Sequence, residues 1–135
     1  MQRVAINGFG RTGRNVLRTR FEKPKVFHFD IVAINDIADV ETLLHLFKYD
    51  TTHGRFNGQV EVIWQDEQVF LEISSGAAQL NVQVFCEENP QQLPWQDLKI
   101  DVALECTGLF RSREAATQHI TAGAKRVIIG AAPFD

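Results

Sequence analysis

The stretch that decides the fold is Arg3-Val4-Ala5-Ile6-Asn7-Gly8-Phe9-Gly10-Arg11-Thr12-Gly13-Arg14. It begins with an apolar run typical of a short buried strand and continues into residues suited to a helix. Between the two, three glycines stand in the spacing G-x-G-x-x-G, at Gly8, Gly10 and Gly13. The sequence therefore predicts a strand, a glycine-rich turn and a helix.

Each glycine in this spacing has a physical purpose when a dinucleotide binds at the turn. Gly8 allows a sharp turn out of the strand, Gly10 lets the backbone approach a pyrophosphate, and Gly13 lets the helix pack closely on the strand. The free N–H groups at the start of the helix, together with its dipole, attract an anion. This context favours nucleotide binding, and the alternative is a glycine-rich turn without a ligand.

The composition is that of a globular protein with one core: 135 residues, 44% hydrophobic, with a net charge of −3. This charge gives no electrostatic case for nucleic acid as a partner. There is no membrane-spanning apolar run, and Met1 leads straight into a strand without a secretory signal, so we expect a cytoplasmic protein. The two cysteines form no disulfide framework, and the four histidines have no metal-ligand spacing.

The first helix is predicted over Arg11 to about Glu22, and a near-continuous apolar run at Phe29 to Ile34 predicts a strand covered on both faces. Strand, helix and strand in this order make a βαβ unit. We expect Arg14, Arg18 and Arg20 to form a solvated face of the helix.

Asp36 follows the second strand, 23 positions after Gly13. An acidic side chain at that place accepts hydrogen bonds from the adenosine ribose hydroxyls. Because a carboxylate there also repels a 2′-phosphate, NAD is expected over NADP. The alternative interpretation is a helix-capping or turn aspartate.

The middle of the chain predicts a second helix and three strands. The helix spans Val40 to Lys48, with Asp39 as its N-cap. Alternating residues at Gln59 to Trp64 and Gln68 to Ile73 predict an antiparallel hairpin, and Leu80 to Phe85 a further main strand.

The last third repeats the alternation of strand and helix. Strands are predicted at Asp101 to Cys106 and Arg126 to Ile129, with a helix from about Ser112 to Gly123 between them. Asn89 to Trp95 is predicted as a loop with at most a short helical turn. Thr107-Gly108 follows the first of these strands, where ligands bind in open parallel sheets.

These elements predict an α/β fold, a Rossmann-type doubly wound parallel sheet with an inserted antiparallel hairpin. Residues 1–135 form one dinucleotide-binding domain in this interpretation. Such a sheet commonly has six main strands, whereas five are predicted here, so we expect a truncated domain.

Six stretches carry a family resemblance, in family order and at family spacing. They are Val4-Ala5-Ile6-Asn7-Gly8-Phe9-Gly10-Arg11, Val32-Ala33-Ile34-Asn35-Asp36, Leu46-Phe47-Lys48-Tyr49-Asp50-Thr51-Thr52-His53-Gly54-Arg55-Phe56, Leu93-Pro94-Trp95, Glu105-Cys106-Thr107-Gly108-Leu109-Phe110 and Ala122-Gly123-Ala124-Lys125-Arg126-Val127-Ile128-Ile129. Together they resemble the NAD-binding domain of phosphorylating glyceraldehyde-3-phosphate dehydrogenases. Erythrose-4-phosphate dehydrogenases share most of these motifs and are a close second.

The resemblance implies a set of cofactor-binding residues. Those expected to hold the pyrophosphate and the adenine ribose are Asn7, Gly8, Phe9, Gly10, Arg11, Thr12, Gly13, Asn35 and Asp36. Those expected to line the rest of the cleft are Cys106, Thr107 and Gly108, with Phe110 nearby. Two departures from the family pattern matter for the cofactor: Glu88 stands where arginine is common and Gly130 where serine is usual. Both departures bear on cofactor affinity rather than on the fold.

The resemblance also implies a catalytic half that this chain lacks, carrying the cysteine, its histidine and the phosphate-binding residues. The partners expected are NAD, that catalytic half and a homotetramer of the full-length enzyme. Cys106 and Cys86 are expected to be unreactive, and His53 to make a structural hydrogen bond. The chain alone is therefore predicted to be inactive, and the alternative function is a non-catalytic nucleotide-binding or protein-interaction module.

Overall fold

The computed structural model describes residues 1–25, 27–50, 54–108 and 113–130, apart from the side chains at 50, 114 and 115. The strands are β1 Gln2–Asn7, β2 Phe29–Asn35, β3 Tyr49–Asp50, β4 Gly54–Arg55, β5 Gln59–Gln65, β6 Gln68–Ser75, β7 Ala78–Phe85, β8 Val102–Glu105 and β9 Arg126–Ile129. The helices are α1 Arg11–Glu22, α2 Val40–Lys48 and α3 Arg113–Ala122, and a 3-10 turn spans Pro90–Gln92.

The main sheet has seven strands in the order β5-β6-β7-β2-β1-β8-β9. The five neighbouring strands β7, β2, β1, β8 and β9 run parallel, as predicted. Strand β6 pairs antiparallel with both β5 and β7. The predicted hairpin is therefore confirmed, and it extends the main sheet rather than standing apart from it. Asp66, at its turn, has a φ of 58°, the left-handed conformation that tight hairpin turns use.

The two faces of the sheet carry separate apolar clusters, because neighbouring residues on a strand point to opposite faces. Ile6 and Ile34 belong to one cluster, whereas Ala5 and Ala33 belong to the other. The first cluster includes Leu17, Phe21, Leu43 and Phe47 of α1 and α2, and the second includes Trp95, Ile100 and Ala122. Helices thus cover both faces, which confirms the doubly wound architecture.

The predicted solvated arginine face of α1 is wrong. Arg18 is only 6% exposed, and its guanidinium donates to the carbonyl oxygens of Gly54 at 2.8 Å and Phe47 at 3.4 Å. The other two arginines are half-buried and also donate to backbone carbonyls, Arg14 to Phe9 and Arg20 to Phe29. Periodicity gave no sign of this, because all of these acceptors lie outside α1.

The connecting segments follow the predictions with one addition. Asp39 caps α2 by accepting from the Thr42 N–H at 2.8 Å, and Pro90–Gln92 makes the short helical turn. Between α2 and β5, Tyr49–Asp50 and Gly54–Arg55 pair as a small antiparallel ladder that was not predicted.

Some predictions on the connecting segments lie outside the described residues. They are the predicted start of the last helix at about Ser112, the hydrogen bond of His53 and the position of Phe110. No helix among the described parts of the chain is long and apolar enough to cross a membrane.

Candidate functional site

A cleft of about 450 Å³ opens at the carboxyl ends of β1, β2, β7 and β8. It is lined by Asn7, Gly8, Gly10, Asn35, Asp36, Ile37, Glu87, Glu88, Cys106 and Thr107. The chain leaves β1 toward β2 on one side, and β8 lies on the other, so the cleft sits where the strand order reverses. Its volume falls within the range of about 300–1,000 Å³ that small-molecule sites occupy.

The three glycines hold the turn between β1 and α1 in the way that the sequence predicts. Gly8 has a φ of 94°, and a Cβ there would stand 2.7 Å from the backbone nitrogen of Thr107. A Cβ on Gly13 would overlap the carbonyl oxygen of Gly8. At Gly10, in contrast, no atom of the described residues other than its neighbours along the chain lies within 4 Å of the place where a Cβ would stand. Two of the glycines therefore allow close packing, and Gly10 leaves open space at the cleft.

The first turn of α1 is suited to an anion. Gly10 is the N-cap residue and supplies no side-chain cap, and the first turn contains no acidic residue among the described positions. Arg11 and Thr12 are exposed at this helix start but do not line the cleft. The N–H groups here, with the helix dipole behind them, fit a pyrophosphate.

The Phe9 side chain points away from the cleft. It is 1% exposed and stacks against Phe47 in the core, with the ring centroids 6.0 Å apart. Its backbone N–H donates to Oδ2 of Asp36 at 2.6 Å. Phe9 therefore shapes the glycine turn through its backbone.

Asp36 makes a local turn, which is the alternative interpretation from the sequence, and its side chain also faces the cleft. Its Oδ2 accepts from Phe9, and its Oδ1 accepts from the backbone N–H of Ala38 at 3.0 Å, which makes a local turn. The side chain also lines the cleft and is partly exposed. Because each carboxylate oxygen can accept more than one hydrogen bond, Asp36 retains acceptor capacity toward a ligand.

The side of the cleft at the ends of β2 and β7 is acidic and is held in place by hydrogen bonds. Asn35 is buried, donates to Oδ1 of Asn7 at 2.7 Å, and exchanges two hydrogen bonds with the backbone of Glu87. Three carboxylates, those of Asp36, Glu87 and Glu88, border this side. Their charge opposes an additional phosphate in the same place.

A buried carboxylate lies beneath the opposite side. The Glu105 side chain is fully buried, and it accepts from Nδ2 of Asn7 at 2.6 Å and from His119 Nε2 at 2.7 Å. It also accepts from Oγ1 and the backbone N–H of Thr107, at 2.5 and 3.0 Å. Burial acts to raise the pKa of Glu105, but these hydrogen bonds outweigh it and hold the pKa below its usual value.

The tautomer of His119 follows from its two neighbours. Trp95 Nε1, which can only donate, lies 3.0 Å from His119 Nδ1, so Nδ1 must be an acceptor. The ring proton is then on Nε2 and is donated to Glu105. The site therefore has one buried negative charge and a neutral imidazole.

Cys106 lines the cleft, and its surroundings disfavour the thiolate form. Burial raises its pKa to about 11, and the charge of Glu105 adds to the shift. Since the thiolate is the nucleophile, this environment suppresses reactivity at neutral pH. The exposed Cys86 lies with its thiol 3.5 Å from the Ile37 carbonyl oxygen.

Residues 2–113 match the family described as glyceraldehyde 3-phosphate dehydrogenase, NAD binding domain. The chain belongs to the glyceraldehyde-3-phosphate dehydrogenase family. This confirms the predicted family and NAD as the cofactor of the domain.

Three relatives named glyceraldehyde-3-phosphate dehydrogenase give the degree of similarity. The one from Clostridium acetobutylicum is 49% identical over 134 residues, which cover 97% of this chain and 36% of the relative. The chromosomal one from Cupriavidus necator is 47% identical over 132 residues, covering 96% and 36%. That from Thermotoga maritima is 48% identical over 131 residues, covering 97% and 37%. The chain thus spans just over a third of the length of these relatives.

Most of the cofactor-binding residues predicted from this family are brought together at the cleft. Six predicted residues do not line it: Phe9, Arg11, Thr12, Gly13, Gly108 and Gly130. Gly108 has a φ of 78° directly after Thr107. Gly130 donates its N–H to the Glu105 carbonyl oxygen at 2.8 Å, and a Cβ there would stand 3.2 Å from the sulfur of Cys106.

Four residues at or beneath the cleft were missed by the sequence analysis: Ile37, Glu87, Glu105 and His119. An acidic residue at the end of an apolar strand was a usable signal for Glu105, because a buried charge needs partners. His119 had no such signal, since its partners are 14 and 24 residues away in sequence.

Proposed function

We propose that the cleft binds NAD across the point where the strand order reverses, and that the chain is the cofactor-binding part of a phosphorylating glyceraldehyde-3-phosphate dehydrogenase. The observation that carries this is the uncapped start of α1 at Gly10, with the Asp36 carboxylate on one side and Thr107 on the other. An anion-binding centre flanked by two polar strand ends fits the two nucleotide halves of a dinucleotide.

The residues take distinct roles in this proposal. The backbone from Gly8 to Gly13 holds the pyrophosphate, with Asn7 supporting the turn from below. Asp36 accepts from the adenosine ribose, and buried Asn35 fixes the segment around it. Ile37, 70% exposed at the rim, offers an apolar surface to the adenine.

The second half of the dinucleotide lies on the β8 side. Cys106 and Thr107 line the cleft there, and Gly108 and Gly130 shape the strand ends behind them. NAD supplies a hydride acceptor when bound. The residues of this chain bind and orient it. Among the described residues that line the cleft, the one thiol, Cys106, has a raised pKa and is not suited to attack an aldehyde.

The catalytic half, a homotetrameric full-length enzyme and a cytoplasmic location belong to the same proposal. In the complete enzyme, a thiolate outside residues 1–135 attacks the aldehyde, and phosphate releases the acyl group. Support comes from the greater length of the relatives, since this chain covers only 36% of one of them.

Calorimetric titration of the 135-residue chain with NAD, NADP and AMP tests the cofactor role. We expect NAD to bind about tenfold more tightly than NADP, because the carboxylates at the ribose side repel a 2′-phosphate. Asp36→Asn reduces that preference. Asp39→Asn is the matched control, since it makes the same change at a carboxylate that also accepts a backbone N–H but does not line the cleft.

An absence of heat with every adenine nucleotide at millimolar concentration contradicts the proposed cofactor role. A preference for NADP contradicts the role of Asp36.

A second candidate is a protein-interaction module without catalysis. Trp64 on β5 and Ile128 on β9 are 66% and 57% exposed, at the two outer strands of the main sheet. Open strands with apolar side chains favour self-association. Light scattering tests this candidate, and a clean monomer counts against it.

A further inference from the structure

Segments on both sides of the cleft are joined to one buried carboxylate. Glu105 bonds directly to Asn7, the last residue of β1, and to Thr107, which follows β8. Asn7 in turn accepts from Asn35 of β2, which holds the backbone of Glu87 after β7. The four strand ends that form the cleft therefore share one connected set of hydrogen bonds.

The donors around Glu105 fix the direction of each hydrogen bond that this carboxylate makes. Oε1 faces two N–H donors, from Asn7 and His119, and Oε2 faces the N–H and hydroxyl of Thr107. His119 cannot reverse its donor and acceptor nitrogens, because Trp95 donates to Nδ1. The imidazole thus acts as a fixed N–H donor that keeps the carboxylate in one orientation.

We propose that Glu105 and His119 are positioning residues for the cofactor, which fix Thr107 on the β8 side of the cleft and couple it to Asn7 beneath the glycine turn. This rests on the proposed NAD-binding role of the cleft. Neither residue reaches the ligand, since both side chains are fully buried. They act through Asn7 and Thr107, which do line the cleft.

A disturbance of Glu105 should weaken the binding of the half of the dinucleotide on the β8 side more than that of the adenosine half. Asp36 lies at the end of β2, on the adenosine side, whereas Thr107 lies at the end of β8, on the other side of β1. AMP fills only the first half. A ligand that extends to β8 depends on Thr107, and a ligand that stops at the glycine turn does not.

Glu105→Gln has a defined consequence. The new NH₂ group cannot replace Oε1, because it would face two donors. It must replace Oε2, where the Thr107 hydroxyl can rotate to accept but the Thr107 backbone N–H loses its acceptor. The substitution keeps the size of the side chain and disturbs Thr107 specifically.

The experiment compares the 135-residue chain with Glu105→Gln and with Ile100→Val, a control that removes a methyl from the apolar cluster around Trp95. Calorimetry gives the Kd for NAD and for AMP. We expect Glu105→Gln to weaken NAD about tenfold and AMP less than about threefold, the loss of a hydrogen bond to a charged group. Ile100→Val should change neither by more than about twofold.

Nitrogen-15 NMR of the ligand-free protein gives a second readout. His119 should carry its proton on Nε2 in the parent chain, and Glu105→Gln should shift the Thr107 amide while Ile100→Val leaves it in place. If Glu105→Gln does not fold, Trp95→Phe is the second variant. It keeps an aromatic ring but removes the donor to Nδ1. The proton should stay on Nε2, because Glu105 still accepts it, but the imidazole loses one of its two hydrogen bonds, so NAD binding should weaken more than AMP binding.

Equal weakening of NAD and AMP by Glu105→Gln overturns the proposal, as does an NAD affinity within about twofold of the parent. If the parent chain binds no adenine nucleotide, the proposed function fails by itself. An unchanged Thr107 amide in Glu105→Gln, or an Nδ1–H tautomer in the parent, overturns the positioning role without reference to any nucleotide.

Discussion

The carbonyl oxygen of Gly8 lies so close to the Cα of Gly13 that any side chain at position 13 would overlap it. The last residues of β1 and the first turn of α1 are therefore packed backbone against backbone. This close approach brings the helix N-terminus to the end of the central strand, where the cleft opens. Gly10, between the two, has open space on its cleft side.

Alanine substitution should separate these two kinds of glycine. Gly13→Ala forces α1 away from β1 and should cost about 1–3 kcal/mol of unfolding free energy, as overpacking does. Gly10→Ala should cost at most about 1 kcal/mol, since its φ of −81° suits alanine, yet its methyl group would occupy the anion site. Urea denaturation and NAD titration measure the two effects. Equal destabilisation by both variants, with unchanged NAD affinity in Gly10→Ala, would contradict the assignment.

Replacement of the buried Arg18 should destabilise the fold without direct effect at the cleft. Arg18→Met keeps the aliphatic stem but leaves the carbonyl oxygens of Gly54 and Phe47 without this donor. We expect a loss of about 1.5–3 kcal/mol by urea denaturation. Arg11→Met is the control, because Arg11 is exposed on the same helix and should change stability by less than about 0.5 kcal/mol. Similar losses in both variants would refute a special role for Arg18.

The free energy of unfolding should decrease at acidic pH because of Glu105. Its pKa is lowered in the folded state, so the unfolded chain binds more protons as the pH falls. The stabilisation is present above the ordinary glutamate pKa of about 4.3 and is lost as the pH falls through the lower folded value. Urea midpoints from neutral pH to about pH 3 measure the slope, and Glu105→Gln should make it shallower. A slope unchanged by the substitution would place the acid sensitivity elsewhere, for example at Asp101, whose pKa is also lowered.

The two cysteines should differ in alkylation rate. The pKa of Cys106 is raised to about 11 and its side chain is partly buried, whereas Cys86 is exposed. With iodoacetamide at about pH 8, we expect Cys86 to react at least about tenfold faster. Peptide mass spectrometry with Cys86→Ser and Cys106→Ser as references measures each site. Rapid modification of Cys106 would mean that its thiolate forms and is accessible, which would contradict its assignment as an unreactive thiol.

Much of the fold could be predicted because local patterns carry it. The spacing of Gly8, Gly10 and Gly13 gave the turn, and apolar runs gave the five parallel strands. Asp39 was predicted as a cap from its place before an amphipathic run, and it is one. In each case the deciding interaction lies within a few residues along the chain, or depends only on which face is apolar.

The sequence by itself determined the family, the doubly wound architecture and the place of the cleft, because strand ends and glycine turns are local features. Tertiary structure alone decided the state of the buried polar groups. Arg18 was predicted to face solvent, and it is buried because carbonyls of a distant segment need its donors. His119 received no prediction, yet its tautomer is fixed by Trp95 and the charge of Glu105 is held in turn by His119. A hydrogen bond specifies its partner in space, whereas periodicity in a sequence specifies only a face.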